Sequence, residues 1–145
     1  MPFSIRPYRR LPLAYILGFA SLITLLVLSS EPAYAEWVQI DKTGDGMTTY
    51  ADPDTIRRKG DLVKVWQLSD FKTIQTVGTQ SHLSFKRQSE YDCIEERTRT
   101  LAITFFSGNM GHGNVVINNS DEARWVPVAP GSVGQALWEY ACEKK

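Results

Sequence analysis

The chain has 145 residues, and its 16 basic and 16 acidic side chains balance to a formal net charge of zero. That balance excludes the basic excess of a nucleic-acid binder and the strong acidity of a solvating, disordered chain. Aromatic residues make up 11% of the chain, and all four Trp fall after residue 36, which points to a packed fold there.

The N-terminus carries Arg6, Arg9 and Arg10, then the uncharged, largely apolar run Leu13 to Leu28, then Ala33-Tyr34-Ala35, a small-x-small cleavage pattern. A cleavable secretory signal is therefore expected over residues 1–35, cut between Ala35 and Glu36. The apolar run is shorter than the roughly 20 residues that span a bilayer. No second such stretch follows, so no membrane span is expected in the mature chain. Residues 36–145 amount to a single domain. Its expected location is periplasmic or secreted, where disulfides persist.

Trp37 to Ile40 reads as a strand, Asp45-Gly46 as a hairpin turn, and Met47 to Ala51 as the returning strand. Asp52 with Pro53 predicts a short helical turn reaching Arg58. Leu62 to Phe71 is a strand apolar on both faces, as in a central strand covered on both sides. One helix covers one face; a second copy of the chain is one way to cover the other. Thr73 to Gly78 reads as a loop, Thr79 to Glu90 as a strand with His82 facing solvent, and Cys93 to Phe106 as a long strand. Ser107 to Gly113 is a Gly-rich loop before a short strand, Val115 to Ile117. Trp125 to Val128 is an edge strand, because Pro127 lacks the ladder N–H. Ser132 and Gln135 form a capping box. Val133, Ala136, Leu137, Tyr140 and Ala141 repeat with the period of an amphipathic helix. The fold class is α+β.

Cys93 and Cys142 are the only cysteines. In an oxidising compartment they most simply pair with each other, which fastens the helix to the sheet.

Motifs for chemistry are sparse. Asp41, Thr43, Asp45, Gly46 and Asp52 match several positions of a calcium loop, but strands flank them where helices should, and a hairpin turn accounts for them better. His82 and His112 are the only histidines; with the cysteines oxidised, His–His–carboxylate is the zinc site that remains, and their spacing does not suggest it. No nucleophile elbow is present, so no enzyme is expected. Gly108, Gly111 and Gly113 lack the spacing of a dinucleotide fingerprint. No cofactor is called for. Arg57-Arg58-Lys59, with Lys64 or Lys86-Arg87, could meet an anionic glycan or lipopolysaccharide; a solvated turn is the plainer reading.

Several segments together resemble the surface-adhesin E family of small bacterial envelope proteins. They are Trp37-Val38-Gln39-Ile40, Tyr50 to Arg58, Val63 to Trp66, Tyr91-Asp92-Cys93, Ser107 to Gly111, and Trp125 with Pro130-Gly131-Ser132, Leu137-Trp138 and Cys142. The resemblance implies an antiparallel sheet of about six strands, with one C-terminal helix on a face, tied by a disulfide. It also implies kinship with dimeric outer-surface adhesins that bind host matrix and serum proteins and to which haem binding is attributed. The chain departs from the pattern in lacking a lipobox cysteine, which removes support for an outer-membrane tether.

The expected function is thus an exported, non-enzymatic, adhesin-like envelope module with a protein or glycan partner, possible homodimerisation and no nucleic acid. The alternative is a periplasmic carrier of a small ligand such as haem. That carrier would draw an axial ligand from His82, His112, Met47 or Met110.

Overall fold

The structure, a computed structural model, describes residues 35–143; residues 1–34 of the expected signal segment 1–35 lie outside them, as do residues 144 and 145. The described chain is an antiparallel meander with one helix. The strands are β1 (Val38–Lys42), β2 (Met47–Lys59), β3 (Leu62–Val77), β4 (Gln80–Asp92), β5 (Arg97–Phe106) and β6 (Val115–Asn119), paired in chain order. A two-residue strand, β7 (Val126–Pro127), pairs with β5 beyond the end of β6, with Pro127 on the sheet edge as expected. The helix, α1 (Val133–Glu143), follows.

The β1–β2 connection is a hairpin, with Gly46 in the left-handed region at φ 94°. The Asp52-Pro53 segment corrects the expected helical turn. It stays within β2, and the register with β3 slips between Asp52 and Arg57. Pro53 has no N–H for the ladder. Side chains take over there: the Asp54 N–H donates to Asp52 Oδ1 at 3.1 Å, and the Trp66 N–H donates to Thr55 Oγ1 at 2.9 Å. A bulge with substitute partners, rather than a helix, satisfies the backbone.

β3 runs on to Val77 through residues that read as a loop, and the turn falls at Gly78. β5 starts at Arg97 rather than Cys93. Asp92 explains the difference: its Oδ1 accepts from the N–H groups of Ile94 and Glu95 at 3.1 and 3.0 Å, turning the chain.

α1 begins as the sequence predicts. Ser132 Oγ accepts from the Gln135 N–H at 3.2 Å. The Gln135 side chain reaches back one residue further than expected, to the Gly131 N–H at 2.6 Å. The helix contacts β1 to β4. Its Leu137 and Ala141 are buried against Ala51, Val63, Val65 and Tyr91. Cys93 and Cys142 are disulfide-bonded, with Cα atoms 5.7 Å apart. Beside the bridge, Trp138 Nε1 donates to the Asp92 carbonyl at 2.9 Å and Arg58 Nη2 to the Cys142 carbonyl at 2.7 Å. Among the described residues, no helix is long and apolar enough to cross a membrane.

Candidate functional site

Strand alternation divides the basic residues between the two faces of the sheet. Arg57 pairs with Lys64 and Lys59 with Leu62, so these four share the face opposite the helix. Arg58 pairs with Val63 and turns to the helix side, where its guanidinium caps α1. Lys86 and Arg87 are divided the same way. Lys86 pairs with Leu68 on the open face, and Arg87 pairs with Gln67 on the helix face.

Arg57, Arg58, Lys59, Leu62, Lys64 and Glu90 line a groove of about 490 Å³. The only carboxylate in it, Glu90, is buried at 4% exposure. It is already committed: Arg99 Nη2 reaches Glu90 Oε1 at 2.6 Å, whereas Lys64 Nζ lies 3.9 Å from Oε2. Arg99 also pairs with Glu122 and lies 4.5 Å from the Trp125 ring centroid. Arg97 joins the row through Asp92 at 3.1 Å and the same Trp125 ring. The basic side chains at the groove mouth therefore keep most of their charge for solvent or a partner.

At the other end of this face, the loop after β5 folds back onto the sheet. Ser84 Oγ donates to the Gly108 carbonyl at 2.6 Å and accepts from the Gly111 N–H at 2.9 Å. The Met110 N–H and Asn109 Nδ2 both donate to Asp70 Oδ1. Lys86 Nζ sits 5.8 Å from the Trp37 ring and 5.5 Å from the Phe106 ring.

His82 is a correction. It does not face solvent: it is 4% exposed, and its ring lies 4.7 Å from Phe105 and 5.8 Å from Phe71. The slip in β3–β4 register between Asp70 and Gln75 breaks the simple alternation on which the exposed reading rested. Its Nδ1 has no partner among the described residues. Burial pushes its pKa below the ordinary value. His112 is exposed, while Met47 and Met110 are half-buried in β2 and the Gly loop. Among the described residues, no group of three His, Cys, Asp or Glu is placed to hold a metal ion.

A second cavity, of about 290 Å³ and not signalled by any sequence motif, lies on the helix side. It is lined by Arg87, Ser89, Tyr91, Thr98, Thr100 and Gly134, among others. Only alternation along β4 could have pointed to it, because Phe85, Arg87, Ser89 and Tyr91 form one row.

The profile of the surface-adhesin protein E family matches residues 37–143. Two solved structures of Haemophilus influenzae protein E share the fold. One, crystal form II, has a TM-score of 0.60 at 11% identity and covers 77% of this chain and 90% of its own. Another has a TM-score of 0.58 at 11% identity, with 77% and 86% covered. No curated protein matches the chain.

Proposed function

Because the chain belongs to the surface-adhesin protein E family, we propose that it is an exported, non-enzymatic envelope module that binds an anionic macromolecule through the groove of Arg57, Lys59 and Lys64. The observation that carries this reading is the charge count inside the groove. Three basic side chains share one face, and the single carboxylate among them is neutralised by Arg99. Such a surface attracts sulfated or uronic-acid glycans and acidic protein segments, in a manner that weakens with salt. Membership of the family supports an adhesin-like role at the cell envelope. The signal pattern over residues 1–35 supports export, with Glu36 as the new N-terminus.

Two experiments test the parts separately. Retention on immobilised heparin, eluted with NaCl, reads the groove. The variant Arg57→Glu/Lys59→Glu/Lys64→Glu should elute at clearly lower salt, with an unchanged circular dichroism spectrum. Equal retention of the folded variant would sink the groove reading. Cell fractionation, with protease added to intact cells, reads the location. Release on osmotic shock with full protection places the protein in the periplasm, and cleavage on intact cells places it on the surface. Retention in the cytoplasm with residues 1–35 uncut would refute export. The haem-type alternative predicts a Soret shift on haem titration that replacing one of His82, His112, Met47 or Met110 abolishes.

A further inference from the structure

We propose that the cavity around Arg87, on the helix side of the sheet, is a binding site for a small monocarboxylate ligand. The site is separate from the basic groove, which lies on the opposite face.

Arg87 is the central observation. It forms no ion pair among the described residues, and none of the described residues lining the cavity is a carboxylate. Its positive charge is nevertheless partly withdrawn from water, and burial pulls its pKa below the ordinary Arg value. A guanidinium stays charged throughout the physiological range, and the Phe85 ring, 5.7 Å from Arg87 Cζ, offers it a π face but no counter-charge.

The guanidinium is also held in place. With the Gln67 amide oriented to satisfy both neighbours, Gln67 Oε1 accepts from Arg87 Nε and Nη2 at 2.5 Å, and Gln67 Nε2 donates to Tyr91 Oη at 3.0 Å. Gln67 and Tyr91 are buried at 0% and 1% exposure. Burial pushes the Tyr91 hydroxyl up, against the opposing influence of Arg87 and of hydrogen bonds with Ser89 and Thr98, so it stays neutral and supplies no counter-charge. Of the five N–H donors of Arg87, Gln67 takes two, which leaves three without a described acceptor.

The rest of the lining suits a carboxylate. Ser89 and Thr100 add hydroxyls. Gly134 belongs to the first turn of α1, where amide N–H groups lack intrahelical acceptors and the dipole favours negative charge. Ala123 and Val126 provide an apolar wall, and Arg124 is exposed at the mouth. Arg99 also reaches the cavity wall but is already paired with Glu90 and Glu122, so Arg87 is the internal cation left to match one negative charge, and a planar guanidinium edge matches a planar carboxylate. A volume near 290 Å³ falls at the small end of ligand pockets.

The test is an amide NMR titration of the purified protein with sodium acetate and sodium glucuronate, against sodium chloride and sodium sulfate at matched ionic strength. Saturable shifts are expected at Ser89, Thr98, Thr100, Gly134 and the Arg87 Nε–H, for the carboxylates alone. The expected Kd is on the order of 1 mM for acetate. Arg87→Lys keeps the charge, loses the fork and should weaken binding about tenfold. Thr100→Val, which leaves Arg87 in place, should weaken it by a smaller factor while retaining the fold. Shifts that do not saturate, shifts equal with chloride, preference for sulfate, or unchanged binding by folded Arg87→Lys would each overturn the proposal. Heparin retention by the same variants should stay at the wild-type level, which separates failure of this site from failure of the groove.

Discussion

The two faces of this sheet bury their central residues by different means. On the helix face, Val63, Val65 and Tyr91 meet Leu137 and Ala141 in an apolar contact closed by a covalent bridge. On the opposite face, in the same strands, Glu90 is buried through Arg99, and Lys86 lies between the Trp37 and Phe106 rings. The first solution depends on helix docking and is indifferent to salt. The second needs no covering element and leaves charge available at its rim. A binding surface is more readily built on the second face, because its stabilising groups are already polar and reachable. The helix face keeps Arg87, which forms no ion pair among the described residues, in a cavity.

Breaking the helix face should give the largest effects. Cys93→Ser removes a bridge that closes a loop with sequence separation 49. The chain-entropy model assigns about 4 kcal/mol to such a loop. Urea unfolding should show a loss of that order, and dithiothreitol should impose the same loss on the wild type and none on the variant. An equal response of both proteins to reductant would mean that the bridge contributes little. Leu137→Ala comes next, because Leu137 is 1% exposed at the centre of the contact. A cost of about 3 kcal/mol is expected by the same measurement. A cost under about 1 kcal/mol would show that the helix is loosely seated.

The opposite face should respond less and in a salt-dependent way. Arg99→Met leaves the buried Glu90 with only the 3.9 Å contact to Lys64. A loss of about 2 kcal/mol is expected, and Glu90→Gln added to Arg99→Met should restore part of it. Additive losses in that double-mutant cycle would show that the two residues are not coupled.

How much of this was legible in sequence follows the same division. The helix face was readable because its signals are local: Ser132 with Gln135, the spacing of Val133, Leu137 and Ala141, and two cysteines with one possible pairing. The first hairpin followed from Asp45-Gly46. Two of the errors lie where a side chain replaces a backbone partner. Thr55 standing in for a ladder acceptor turned an expected helical turn into a bulge. Asp92 capturing two amides moved the start of β5. The groove was half legible. Arg57, Lys59 and Lys64 were named together, but pairing register alone shows that Arg58 leaves them for the helix. Arg87 was masked by its neighbour Lys86, because adjacent basic residues read as one patch until a strand separates them.

His82 sharpens the comparison, because it is buried without either solution. It has ring neighbours in Phe71 and Phe105, yet its Nδ1 lacks a described partner and no counter-charge is paired with it. Burial holds its pKa below the ordinary value of about 6.5. As pH falls through that value, the unfolded chain takes up a proton before the folded one does. Stability is then full above about pH 6.5 and declines as pH drops below it towards the lower folded value. His82→Leu should flatten this limb, seen as a urea midpoint that changes less between about pH 7.5 and about pH 5.5 than in the wild type. The effect should be the smallest of the series, because it appears as a slope rather than as a lost contact. If the two proteins decline in parallel, the proton is being taken up elsewhere, and the buried imidazole must have an acceptor that keeps its folded and unfolded affinities equal.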